Sequence, residues 1–245
     1  MHPRATLAIA ERVLRQLRRD PRTVALLVVV PCVLMVLMRY VFDDQPQTFQ
    51  RIGAPMLGLL SFTTMFVVTS ISMLRERTTG TLERLMSMPM AKLDLLAGYG
   101  LAFAVVALIQ TAAVAALSLG PLGLDTARGA FVLISLALAN GLLGTALGLF
   151  VSAFATSEFQ AVQFMPAFVL PQFLLCGLFV ARDQMAGWLE AISNVLPLTY
   201  AYDALERASR PGELGTRFWV DVVVIVALTL GALGAGAATL RRRSD

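Results

Sequence analysis

The sequence predicts an all-α integral membrane protein of six transmembrane helices, with N- and C-termini on the cytoplasmic side. Three observations carry this prediction. The 245 residues are 57% hydrophobic and 15% charged, which leaves too few polar side chains to coat a water-soluble fold of this length. Apolar runs recur at about 20 residues, the length that crosses a hydrocarbon core of roughly 30 Å. With the N-terminus inside, the cytoplasmic segments hold 13 of the 20 basic residues and the opposite side 7, the asymmetry that retains basic connections in the cytoplasm.

The elements follow in order. Over residues 5–19, Leu7, Ala10, Val13, Leu14 and Leu17 recur at helical spacing while Arg12, Arg15, Arg18 and Arg19 face elsewhere, the pattern of an amphipathic helix lying along the membrane surface. Asp20-Pro21 reads as an N-cap followed by proline at the first helical position. It opens the first span, about 22–41. This span follows an arginine-rich preface and no A-x-A site, so it is expected to stay as an anchor rather than be cleaved as a signal peptide. The remaining spans fall at about 52–74, 96–119, 129–154, 159–181 and 218–240.

Pro31, Pro166 and Pro171 lie inside spans. Each removes a backbone donor, and the pair in the fifth span predicts a bent or broken helix. Gly144 with Gly148, and the Gly231, Gly234, Gly236 group, offer small surfaces for close helix approach.

Two polar segments interrupt the spans. In the cytoplasmic loop 75–92, Thr81 after Gly80 is expected to cap a short helix closed by Pro89, with Leu82, Leu85 and Met86 on one face and Glu83 and Arg84 on the others. Too short to be stable alone, such a helix gains most from a partner's groove. In the outer segment 182–217, Trp188, Leu189 and Ile192 suit a short helix dipping back into the outer leaflet, and Tyr200 and Tyr202 suit the interface. The chain reads as one membrane domain over 1–245 without an internal repeat.

Composition also excludes function classes. Cys32 and Cys176 sit in apolar runs and His2 is the single histidine, so no metal site is expected. The arginines are scattered over span ends rather than gathered in a stripe with aromatics, which argues against nucleic acid. The sequence has no G-x-x-x-x-G-K-[ST], so no nucleotide-phosphate cradle of that kind. No His, Ser–His or paired-carboxylate constellation stands at membrane depth, and no catalytic residue is assigned. Polar side chains within the spans include Ser61, Thr63, Thr64, Gln110, Asn140, Gln160, Gln163 and Gln172; Glu158 and Asp221 are the ionisable ones, near span ends where water reaches them. Thr63, Thr64, Gln160, Gln163 and Gln172 are candidates to line a weakly polar substrate pathway, which suits an amphiphile such as a hydrophobic drug, a lipid or a lipid-linked product.

"RERTTGTLERLMSMPMAKLDLL", Arg75 to Leu96, and "PQFLLCGLFVARDQMAGWLEAISNVLPLTYAYDALER", Pro171 to Arg207, resemble two signatures of bacterial ABC-2 type transporter permeases, the membrane half of ATP-driven exporters such as the daunorubicin-resistance group. The resemblance covers essentially the whole chain. Tyr99 stands after Gly98 where many members have a basic residue. The resemblance implies a dimer with a second permease copy or paralogue in a bacterial cell membrane, docked to two ABC ATPase subunits that bind ATP and Mg; this chain itself binds no cofactor. It makes Glu76, Gly80, Thr81, Leu82, Glu83, Arg84, Leu85 and Met86 the coupling element toward the ATPase, and Pro197, Tyr200 and Asp203 candidate outer gate residues. A non-transporting membrane scaffold or sensor, and an integral-membrane enzyme, are the alternative classes.

Overall fold

The computed structural model describes residues 3–87 and 91–239. His2, Pro89 and the arginines at 241–243 lie outside the described residues, so the expected closure of the short helix by Pro89 does too. Among the described residues every regular element is helical: α1 (Pro3–Arg18), α2 (Pro21–Val41), α3 (Pro46–Thr78), α4 (Thr81–Met86), α5 (Lys92–Leu119), α6 (Ala130–Val151), α7 (Glu158–Leu175), α8 (Gly187–Ser193), α9 (Pro197–Ser209) and α10 (Thr216–Thr239).

The Asp20 carboxylate accepts from the Thr23 N–H at 3.2 Å and from its hydroxyl at 2.6 Å, so α2 starts where the Asp-Pro pair predicts, with Pro21 needing no intrahelical partner. Those Thr23 bonds hold the Asp20 carboxyl below the usual carboxylate range. The buried face of α1 is Ile9, Ala10 and Val13. Leu14 and Leu17 are partly buried beside them, while Leu7, expected on that face, is exposed.

Among the described residues five helices, α2, α3, α5, α6 and α10, are long and apolar enough to cross a membrane. The bounds of the expected fifth span are corrected: α7 ends at Leu175, six residues short, and carries Glu158, Gln160, Gln163 and Gln172 within 18 residues, so it is not among those five. Its prolines do not break it: α7 runs continuously through Pro166 and Pro171. The second span is longer than expected. α3 runs unbroken through Pro55 and on to Thr78, so Arg75, Glu76 and Arg77 belong to a helical stem rather than a loop.

α3 is the axis of the bundle, flanked by α2, α5, α6, α7 and α9. Phe62 stacks on Phe66 at 6.2 Å, and Phe66 on Phe168 of α7 at 6.1 Å. α6 lies closest to it: a Cβ on Gly144 would overlap the Phe62 carbonyl, and one on Gly148 would sit 2.5 Å from the Phe66 oxygen. Small residues thus let two backbones approach. Gly231 and Gly234 meet nothing among the described residues, so they do not serve that purpose there.

The helices alternate in direction, which collects two polar ends. α1, α4, the start of α5 and the end of α10 share one hydrophobic cluster containing Ile9, Leu82, Leu95 and Leu233. The start of α3, the α5–α6 connection and α9 meet at the other end, where Gln50 accepts from the Asp125 N–H at 2.8 Å and donates to the Gly123 carbonyl at 2.8 Å.

Candidate functional site

The first polar end is built on the α3 stem. Glu76 is 4% exposed, three turns beyond the core phenylalanines, and accepts a hydrogen bond from the Arg12 guanidinium of α1. The same Arg12 nitrogen lies 3.4 Å from the Tyr99 hydroxyl of α5. Burial lowers the proton affinity of the Arg12 guanidinium, but the hydrogen bond and charge of Glu76 outweigh it and the net direction is upward. The other Glu76 oxygen has no partner among the described residues. A cavity of about 170 Å³, lined by Gln16, Asp20, Ser72, Arg75 and Glu76 among others, separates α1 from the stem there. Arg75 extends the network to α7 through Glu158 at 2.8 and 3.2 Å.

α4 follows the stem after a left-handed Gly80 (φ +70°), a conformation that costs other residues about 1–2 kcal/mol. Gly80, not Thr81, holds the cap position without a side-chain bond; Thr81 is the first helical residue and its hydroxyl pairs with that of Thr79 at 3.0 Å. The expected capping role of Thr81 is therefore corrected, because the positive φ that turns the chain demands glycine at that place. Leu82 and Leu85 are buried, packed with Ile9, Met73, Leu95 and Tyr99, and Met86 is partly buried against the same cluster. That apolar face is thus satisfied within the chain rather than held out for a partner's groove. Glu83 and Arg84 are exposed, and they form the outward surface of α4.

The second polar end gathers the other candidates. Pro197 begins α9, where its missing N–H costs nothing. The Tyr200 hydroxyl donates to the Asn194 carbonyl at 2.5 Å. Asp203 is 5% exposed and takes the Arg182 guanidinium at 2.5 Å. Burial pushes the Asp203 carboxyl above the usual range against the opposing pull of Arg182, and burial raises the Tyr202 hydroxyl to about 12. Asp221 is fully buried, 3.4 Å from Arg207 and 3.5 Å from Arg217, so the expectation that water reaches it is corrected: guanidinium groups from α9 and α10 face it as ion pairs, and neither carboxylate oxygen has a hydrogen-bond partner among the described residues. Glu158 is exposed as expected. A cavity of about 440 Å³ opens onto this cluster.

The pathway candidates are not brought together. Thr63 and Thr64 hydroxyls bond back to Leu59 and Leu60 carbonyls of their own helix, both at 2.8 Å. Gln160 accepts from the Thr156 N–H at the start of α7, and Gln163 is exposed on α7. Gln172 is buried, donating to the Phe168 carbonyl at 2.9 Å and accepting from the Leu198 N–H at 3.3 Å, which ties α7 to α9. Arg12, Tyr99 and Arg182 escape sequence reasoning, since their partners stand 64, 87 and 21 residues away and no local spacing signals them.

A family model described as "ABC-2 type transporter" matches residues 4–208. The chain is similar to the "Probable multidrug ABC transporter permease YbhR" of Escherichia coli (strain K12), 22% identical over 188 residues, covering 77% of this chain and 51% of that protein. It is similar to the "Probable multidrug ABC transporter permease YbhS" of the same organism, 24% identical over 181 residues, covering 73% and 48%. It also matches "ABC transporter G family member 20" of Dictyostelium discoideum, 22% identical over 191 residues, covering 76% of this chain and 26% of that protein. The chain thus spans about half the length of the two bacterial permeases and about a quarter of the third relative.

Proposed function

The chain belongs to the ABC-2 type transporter family, and from that premise we propose that it is the membrane-spanning subunit of an ATP-driven exporter working as a dimer in a bacterial cell membrane. ATP and Mg bind a separate ABC ATPase, consistent with the absence of a phosphate-loop motif in the sequence. The cargo is an amphiphilic or hydrophobic compound, a class that suits the apolar spans of this chain; the two bacterial relatives are named as multidrug permeases. Both termini and α4 lie on the cytoplasmic side, and α7, with Phe159, Leu170 and Leu174 exposed for contact with lipid or a second permease, completes the sixth crossing that this topology requires.

One observation carries the reading. α4 is fastened to the bundle by its buried leucines, while α3, α1 and α5 are fastened to one another through Glu76, Arg12 and Tyr99. A displacement applied at Glu83 and Arg84 is therefore transmitted along a continuous helix, α3, into the centre of the bundle, and two packed arrangements can alternate which side is open. At the far end the Arg182–Asp203 pair and the Tyr200–Asn194 bond hold α9 closed and break when it opens.

Charge reversal at Glu83 and Arg84 in the permease–ATPase complex tests this reading. Expected is loss of transport-coupled ATP hydrolysis with an unchanged melting temperature of the permease. Intact coupling in the doubly reversed variant would overturn it.

A further inference from the structure

Arg15, Arg18, Arg19 and Arg22 stand within eight residues, and all four are exposed. Among the described residues Arg15 alone of the four forms an ion pair, with Glu11 one turn away. Asp20, the acidic residue in their midst, is occupied by Thr23 as the N-cap of α2. α1 buries Ile9, Ala10 and Val13 against the bundle, and at 100° per residue Arg15 and Arg18 fall on the opposite face. Leu7, 59% exposed, shares that outward face. Immediately after Arg22 begins the outward apolar surface of α2, with Leu26, Val29 and Val30 half exposed. The basic cluster therefore sits within one or two helical turns of the boundary where hydrocarbon starts.

We propose that this arginine cluster at the α1–α2 elbow is a binding surface for the phosphate headgroups of anionic phospholipids in the leaflet on the coupling side. A guanidinium presents paired N–H donors that match phosphate oxygens bidentately. The continuity of the cluster with the apolar face of α2 favours a lipid over an acidic protein, because one molecule with a phosphate above and acyl chains below satisfies both surfaces at once. Leu7 adds apolar contact at the same level. α1 is also bonded to the stem through Arg12 and Glu76, so lipid held at the elbow bears on the coupling element.

The test uses the full chain reconstituted into phosphatidylcholine vesicles with trace spin-labelled phosphatidylglycerol or phosphatidylcholine, reading the motionally restricted lipid fraction by electron paramagnetic resonance. Restricted phosphatidylcholine reports that the helices are inserted, independently of any headgroup preference. Expected is a phosphatidylglycerol preference of severalfold, weakened by salt, and falling stepwise toward equal affinity for the two lipids in the series R18Q, R18Q/R19Q, R15Q/R18Q/R19Q/R22Q. The charge-retaining R18K/R19K variant should keep most of it, and R210Q at the other end should leave it unchanged. Equal affinity for both lipids, or a preference that survives the fourfold variant, would overturn the proposal while leaving the insertion signal intact. A fourfold variant that keeps its lipid preference but loses the ATPase would instead assign the cluster to a protein surface, and equally overturn it.

Discussion

Replacing Arg12 by alanine isolates the contact that joins α1 to the stem. It leaves the Glu76 carboxylate 4% exposed, with one oxygen already without a partner among the described residues and the other stripped of its donor. Removing one partner of a fully buried pair costs about 3–5 kcal/mol, whereas exposed pairs are worth about 0–1 kcal/mol. With side-chain exposures of 33% for Arg12 and 5% for Glu76, the variant should lose about 2–3 kcal/mol. Glu76→Gln removes the charge that needs Arg12, so it should cost only about 1 kcal/mol, and the double variant little more. Thermal or denaturant unfolding in detergent across wild type, R12A, E76Q and R12A/E76Q gives the coupling energy directly. In the assembled transporter, R12A should also lower transport more than ATP hydrolysis, because the stem no longer moves with α1. An R12A loss below about 0.5 kcal/mol, or strict additivity of the two changes, would refute the burial argument.

Gly148→Ala should drive α6 from α3, since the new Cβ would lie 2.5 Å from the Phe66 oxygen; overpacking of about 1–3 kcal/mol is read as a lowered melting temperature. Gly80→Ala forces a side chain into φ +70°, and a loss of about 1–2 kcal/mol is expected, with a shifted α4 and weaker ATPase co-purification. Leu82→Glu should unfold the α1–α4–α5 cluster rather than merely weaken docking, seen as increased protease sensitivity of the permease alone. Asp203, raised by burial, keeps its proton to higher pH in the folded state than in the unfolded chain. Its contribution to stability is thus present below the ordinary carboxylate range of about 4 and lost as pH rises through the higher folded value, a dependence that D203N should remove from a melting-temperature profile.

What the sequence determined by itself was whatever depends on near neighbours along the chain. The Asp20-Pro21 start of α2, the apolar runs that became five long helices, the α4 turn after Gly80 and the close approach at Gly144 and Gly148 all follow from spacing, capping and side-chain size. The length of α3 was less legible, because Arg75, Glu76 and Arg77 look like loop residues until a tertiary partner for Glu76 is seen. Tertiary structure alone decided the partners: Arg12 for Glu76, Arg75 for Glu158, Arg182 for Asp203, and the two arginines around Asp221. It also decided that the leucines of α4 turn inward. Helical periodicity specifies that a face is apolar, but not which surface will cover it, since water is excluded equally well by a neighbouring helix of the same chain or by a partner. That choice depends on where distant helices meet, and so on the packing of the whole bundle rather than on any local pattern.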